Sequence, residues 1–73
     1  MERSIFLNEL DVNNFLIDDS RCSSYVREEI IQTLRYIDSK KGRRWLFNNT
    51  WSEYLIHEYN EYNEFVMTYK FKL

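Results

Sequence analysis

Hydrophobic residues recur at helical spacing through the middle of the chain, between residues 24 and 41. The repeating positions are Val26, Ile30, Leu34 and Ile37. This period predicts an amphipathic α-helix over about 24–41, with Ser23 or Ser24 accepting a hydrogen bond from the first turn. Gly42, the only glycine, follows this segment and suits the left-handed conformation that ends many helices. A shorter helix is predicted over Asp11–Ile17, with Asp11 as its cap.

The C-terminus follows a different period, in which every second residue is hydrophobic or aromatic. Phe65, Met67, Tyr69, Phe71 and Leu73 alternate with Val66, Thr68, Lys70 and Lys72. A period of two predicts a half-buried strand over about 65–72, as part of a small antiparallel sheet. Ser4–Leu7 is a candidate partner strand, and Arg44–Phe47 is another.

The segment from 50 to 63 fits two patterns. Thr50 followed by Glu53 has the spacing of a capping box, which begins many helices. One helical face would carry Trp51, Leu55, Tyr59, Tyr62 and Val66. We therefore predict a second helix over about 50–63. The alternative is a strand over Glu53–Tyr59, because tyrosine and isoleucine favour strands.

These elements describe a small α+β protein that forms a single compact domain over residues 1–73. Two Trp, six Tyr and five Phe provide a core from few residues, because each buried ring removes about 150–250 Å² from water. The chain has one glycine, no proline and no alanine. That skew is typical of a low-GC genome, such as that of a bacteriophage, another mobile element or a low-GC bacterium.

Apolar runs such as Ile5–Leu7 and Phe15–Ile17 are far shorter than a membrane span, and no signal peptide is recognised. We therefore expect no membrane insertion. The single cysteine, Cys22, has no second cysteine with which to form an internal disulfide. A reducing compartment, the cytoplasm, is the expected location.

Candidate catalytic and metal-binding groups are few. On a helix, Glu53, His57 and Glu61 would lie one turn apart, but a solvated polar face explains them better than a metal site. Cys22 and His57 lie in no recognisable nucleophile motif. One glycine cannot build a phosphate-binding loop. The sequence predicts no enzyme activity, no metal and no cofactor.

Charge is uneven along the chain. Residues 1–20 carry five acids and one base, residues 21–44 seven bases and three acids, and residues 45–73 four acids and two bases. The basic segment, residues 40–45, contains Lys40, Lys41, Arg43, Arg44 and Trp45. It suits phosphates with a base stacked on the indole, or an acidic protein surface, or simply solvent at a helix end.

Tyr59 and Tyr62, interleaved with glutamates, form a second candidate contact surface for a partner, although the same residues also suit a helix face that enters the core. The sequence predicts a small non-enzymatic interaction protein that binds a host macromolecule and inhibits or modulates it. Phage proteins that disable host defences, anti-CRISPR proteins among them, share this size and composition. A protein partner is expected; a nucleic-acid-binding regulator using residues 40–45 is the alternative. Self-association is compatible with either.

Overall fold

The computed structural model describes residues 5–73 and has six secondary-structure elements. They are β1 (Ile5–Phe6), α1 (Glu9–Asp18), α2 (Ser24–Asp38), β2 (Arg44–Asn49), β3 (Glu53–Tyr59) and β4 (Phe65–Lys72). The strands form one antiparallel sheet in the order β1-β2-β3-β4. The protein is a small α+β protein, as the sequence predicts.

Both helices pack on the same face of the sheet. Their buried residues meet the alternate residues of β2 and β3 in one core: Val12, Leu16, Ile30, Ile31, Leu34, Ile37, Trp45, Phe47, Tyr54 and Ile56. The other face of the sheet, which we call the open face, has no helix on it among the described residues. Side chains of adjacent strands share a face when their residues are register partners, so the pairing of Trp45 with Glu58 places Glu58 on the helix face.

The two helices follow the hydrophobic pattern closely. α2 begins where predicted, because Ser23 Oγ accepts a hydrogen bond from Val26 N–H at 3.2 Å. It ends at Asp38 rather than near residue 41, with Ser39 as its C-cap, so Gly42 does not end the helix; Gly42 adopts φ +75° in the turn that leads to β2. α1 begins at Glu9 rather than Asp11, because Asn8 provides the capping oxygen and Asp11 N–H is its donor at 2.8 Å.

The predicted helix over 50–63 is wrong, and the alternative strand is present as β3. Tyr54, Ile56 and Glu58 are buried, and the residues between them are only partly buried. Thr50 Oγ1 does accept a hydrogen bond from Glu53 N–H at 2.9 Å, but the two residues close the β2–β3 turn, where Thr50 N–H also donates to Glu53 O. Pairing on both sides provides β3 with backbone partners that an isolated segment lacks.

The C-terminal strand is confirmed as β4, with residues Glu53–Glu58 paired in regular register to Met67–Lys72. The predicted partner strand Arg44–Phe47 is extended to Asn49 in β2. The other, Ser4–Leu7, is present as the two residues of β1, while Ser4 lies outside the described residues.

Candidate functional site

A concavity among the described residues lies where β2 begins and β3 ends. It has a volume of about 580 Å³ and is lined by Leu7, Asp38, Arg43, Arg44, Trp45, Leu46, Tyr59 and Asn63. β1 pairs only with Phe47 and Asn48 of β2, so the first half of β2 has no strand on its outer side among the described residues. We call this feature the basic concavity.

Arg44 is held at the rim of the basic concavity by the β3–β4 turn. Asn63 adopts φ +63°, a conformation that asparagine tolerates better than most residues, and its Oδ1 accepts a hydrogen bond from Arg44 Nη1 at 2.9 Å. Asn60 stabilises the same turn, since its Oδ1 accepts from the N–H groups of Tyr62 and Glu64. A guanidinium that is exposed and also oriented is well suited to a carboxylate partner.

Trp45 forms a wall of the basic concavity, but its ring is not free to stack on a nucleic-acid base. Only 6% of the residue is exposed, and its indole N–H donates to Asp38 Oδ1 at 2.9 Å. Of the interpretations considered for the basic segment, the one with a base stacked on the indole is therefore not favoured by this geometry. Trp45 alternates with Leu46 across the plane of β2, and this strand geometry turns the indole towards the helices.

Two of the four cations in the basic segment face a buried acid that sequence reasoning did not select. Glu58 is fully buried; its Oε2 lies 3.2 Å from Arg43 Nη1 and 3.8 Å from Lys40 Nζ. Tyr69 O–H donates to Glu58 Oε1 at 2.7 Å. Burial and this hydrogen bond raise the pKa of Tyr69 to about 12, because both favour the neutral phenol. If residues 53–59 had been interpreted as a strand, Glu58 would have continued the alternation of Tyr54 and Ile56. An acid at a position expected to be buried is the signal that could have identified it.

Of the seven residues predicted to contact a partner, four line the basic concavity: Arg43, Arg44, Trp45 and Tyr59. Lys40 is joined to it through Glu58. Lys41 and Tyr62 are exposed and lie outside its lining. Tyr59 and Tyr62 do not share a helix face, since Tyr59 ends β3 and Tyr62 belongs to the following turn. The ring of Tyr59 packs edge-on against Phe65, with 6.0 Å between centroids.

The candidate metal and nucleophile residues do not converge. Glu53 and His57 lie four residues apart on a strand, a separation of about 13 Å rather than one helical turn. His57 Nδ1 lies 2.8 Å from Thr68 Oγ1 on the open face, whereas Cys22 packs against the core on the helix face. Burial raises the pKa of the Cys22 thiol, which disfavours the reactive thiolate. Within residues 5–73 no group of three or more His, Cys, Asp or Glu side chains could hold a metal ion.

No protein-family model matches this chain, and neither a curated protein nor a solved structure matches it. In the described part of the chain, neither helix has the length and apolar character needed to cross a membrane.

Proposed function

We propose that this protein is a small non-enzymatic interaction protein that binds another protein through the basic concavity and modulates its activity. The observation that carries this proposal is the convergence of Arg43, Arg44, Trp45 and Tyr59 around one open recess of about 580 Å³. Arginine and tyrosine are among the residues that most often anchor protein interfaces. Arg44 is exposed and Tyr59 is partly exposed, so these two can serve as anchors, whereas the buried Trp45 only forms a wall of the recess. A preformed surface of this kind acts sterically, by covering a site that its partner needs.

A protein partner fits the charges better than a nucleic acid does. Two of the four cations in the basic segment, Lys40 and Arg43, already face Glu58, and the Trp45 ring is buried. The whole chain carries a net charge of −2, which repels phosphate backbones. Among the residues that the structure describes, Arg44 is exposed and its side-chain partner is a neutral amide, so it is the cation best placed to receive a carboxylate of a partner.

The proposal also includes the genomic origin of the protein and the compartment in which it acts. Small size and low-GC composition support a phage or mobile-element origin and a role in disabling a host defence system, as anti-CRISPR proteins do. The free Cys22 thiol supports action in a reducing compartment, the cytoplasm. Activity of the captured partner, measured with and without the protein, tests the modulating role directly.

Site-specific photo-crosslinking tests the location of the surface. Leu7 lines the basic concavity and is 74% exposed, while Leu10 is 67% exposed and lies outside the lining. We expect a benzoylphenylalanine at position 7 to capture a protein from a lysate of the source cells or their host, and the same group at position 10 to capture far less. Mass spectrometry of the adduct identifies the partner.

Charge reversal provides the matched control. Arg44→Glu should reduce the crosslink at position 7 by at least about tenfold, as expected when an interface anchor is lost. Lys41→Glu makes the same change in net charge outside the lining and should leave the crosslink intact. Equal capture from positions 7 and 10, or salt-dependent capture of nucleic acid instead of protein, would contradict the proposal.

A further inference from the structure

The outer edge of β4 is a second feature of the molecule that is built to bind. β4 is the last strand in the sheet order, so no strand pairs with its outer side among the described residues. Its register with β3 is regular from Met67 to Lys72, and the irregularity lies before that stretch, between Glu58 and Tyr59. Along this regular stretch every second residue directs its backbone N–H and C=O groups to the outer side, and such a row is a template for another strand.

The two faces of β4 differ in chemistry. Lys70 and Lys72 are the register partners of Leu55 and Glu53, so both lysines lie on the open face. In the described part of the chain neither lysine forms an ion pair with an acid. A strand added next to β4 would place every second side chain near these two free cations.

On the helix face, β4 lies next to a groove that the helices do not fill. This groove has a volume of about 290 Å³, and Tyr36, Tyr69 and Phe71 supply its rings, with Glu29, Gln32 and Thr33 along α2. Towards the end of the strand nearest Tyr59, Met67 is the register partner of Glu58 on this face and is 43% exposed, although it is a large apolar residue. An added strand would therefore place its remaining side chains against aromatic and aliphatic surface.

We propose that the β4 edge binds an extended segment of a partner protein in which acidic and apolar residues alternate. The acidic side chains would face Lys70 and Lys72, and the apolar ones would enter the groove beside Tyr69 and Phe71. Backbone hydrogen bonds provide affinity in this mode of recognition, and the alternating side chains provide selectivity. A second copy of the chain fits less well, because self-pairing with matching faces brings the lysines of both strands onto one surface.

This surface is separate from the basic concavity. None of the residues that line the concavity belongs to β4, and none of the groove residues lines the concavity. Substitutions at Arg44 test one surface and substitutions at Lys70 test the other, so the two proposals can fail independently.

Two synthetic peptides test the inference. One alternates glutamate and valine over six residues, and the other alternates lysine and valine. Each is titrated into the ¹⁵N-labelled full chain at low salt, with amide chemical shifts as the readout. We expect the glutamate peptide to shift the amides of Met67–Lys72 and to bind at least about fivefold more tightly than the lysine peptide.

Charge reversal on the edge separates this inference from general electrostatic attraction. Lys70→Glu should reverse the preference between the two peptides, while Lys41→Glu, an equal change in net charge at an exposed site away from β4, should not. No shifts in β4 up to millimolar peptide, equal binding of both peptides, or an unchanged preference in Lys70→Glu would overturn the proposal. A concentration-dependent dimer of the free chain with shifts confined to β4 would also overturn it, in favour of a second copy.

Discussion

Asp19 and Glu58 each accept hydrogen bonds from one arginine and one tyrosine, but the two groups differ in which member is buried. Asp19 Oδ2 accepts from Arg21 Nη2 at 2.9 Å and from the Tyr54 hydroxyl at 2.8 Å. Glu58 accepts from Arg43 at 3.2 Å and from the Tyr69 hydroxyl at 2.7 Å. In the first group the tyrosine is the fully buried member, whereas in the second it is the carboxylate.

The contrast shows which member of each group depends on its partners. Tyr54 stays neutral in the interior, because burial and its bond to Asp19 raise the pKa of its phenol far above the ordinary value. Glu58 is fully buried, so a charge there depends on Arg43, Lys40 and Tyr69 for compensation. A buried charge that loses a partner costs much more than a buried neutral group that loses one.

Removing the arginine from each group should give the largest difference in stability between the two groups. Within residues 5–73, Arg43→Ala leaves Glu58 with only Lys40, at 3.8 Å, as an ion-pair partner, and we expect a loss of about 3 kcal/mol in the free energy of unfolding. Arg21→Ala leaves Asp19 at the end of a helix near solvent, and about 1 kcal/mol is expected. Urea denaturation of both variants provides the measurement.

A double variant shows whether the uncompensated charge is the cause. Arg43→Ala combined with Glu58→Gln removes the charge together with its partner, so it should be more stable than Arg43→Ala alone. If the loss of unfolding free energy in the double variant instead equals the sum of the losses in Arg43→Ala and in Glu58→Gln, the buried charge is not the cause. The packing of the arginine stem would then determine the cost.

The two tyrosine hydroxyls provide a finer comparison. Tyr69→Phe removes a donor from a buried carboxylate, and we expect a loss of about 2 kcal/mol. Tyr54→Phe removes a donor from Asp19, which keeps Arg21, and about 1 kcal/mol is expected. Thermal unfolding of the two single variants ranks them. The reverse order would mean that the Tyr54 hydroxyl matters more to the interior than the charge on Glu58 does.

The sequence was sufficient to predict α2 and β4, because each has one strongly dominant period. Ile30, Leu34 and Ile37 are all buried, as the helical stripe requires. β4 follows the alternation with lysines on the open face. Local periodicity was enough in both cases, since one face of each element packs against the rest of the molecule.

The same reasoning failed over 53–59 because both faces of β3 carry apolar residues. Tyr54 and Ile56 enter the core, while Leu55 and Tyr59 lie on the open face, so a helical period can also be matched. Thr50 added a misleading signal. Its side chain makes the predicted hydrogen bond to Glu53 N–H, but that contact closes a hairpin turn as well as it begins a helix. Thr50→Ala therefore carries a similar cost in either structure and does not distinguish them.

The candidate site could be predicted only in part, for a related reason. Arg43, Arg44 and Trp45 were selected for their chemistry, and they do line one recess. Neither the burial of Trp45 nor the pairing of Arg43 with Glu58 is visible in local sequence, because both depend on the register between β2 and β3. Since Trp45 and Glu58 are register partners on the helix face, a correct strand assignment would have placed an acid among these cations.

The acid pH dependence of stability provides the smallest predicted effect. Hydrogen bonds from the Arg21 side chain hold the pKa of Asp19 at about 2, below the ordinary 3.8, although burial opposes the shift. A depressed pKa stabilises the folded state above the unfolded value, and that contribution is lost as the pH falls through the folded value. Because the Arg21 side chain is 36% exposed, solvent screening reduces the expected contribution to about 1 kcal/mol.

Asp19→Asn should therefore be less stable than wild type at pH 5, and the difference in unfolding free energy should close between pH 4 and pH 2. Asp18→Asn removes a neighbouring carboxylate without touching Arg21 or Tyr54, and it corrects for the general effect of acid on the chain. A gap between Asp19→Asn and wild type that stays constant over this range would show that the amide loses hydrogen-bond geometry and not charge.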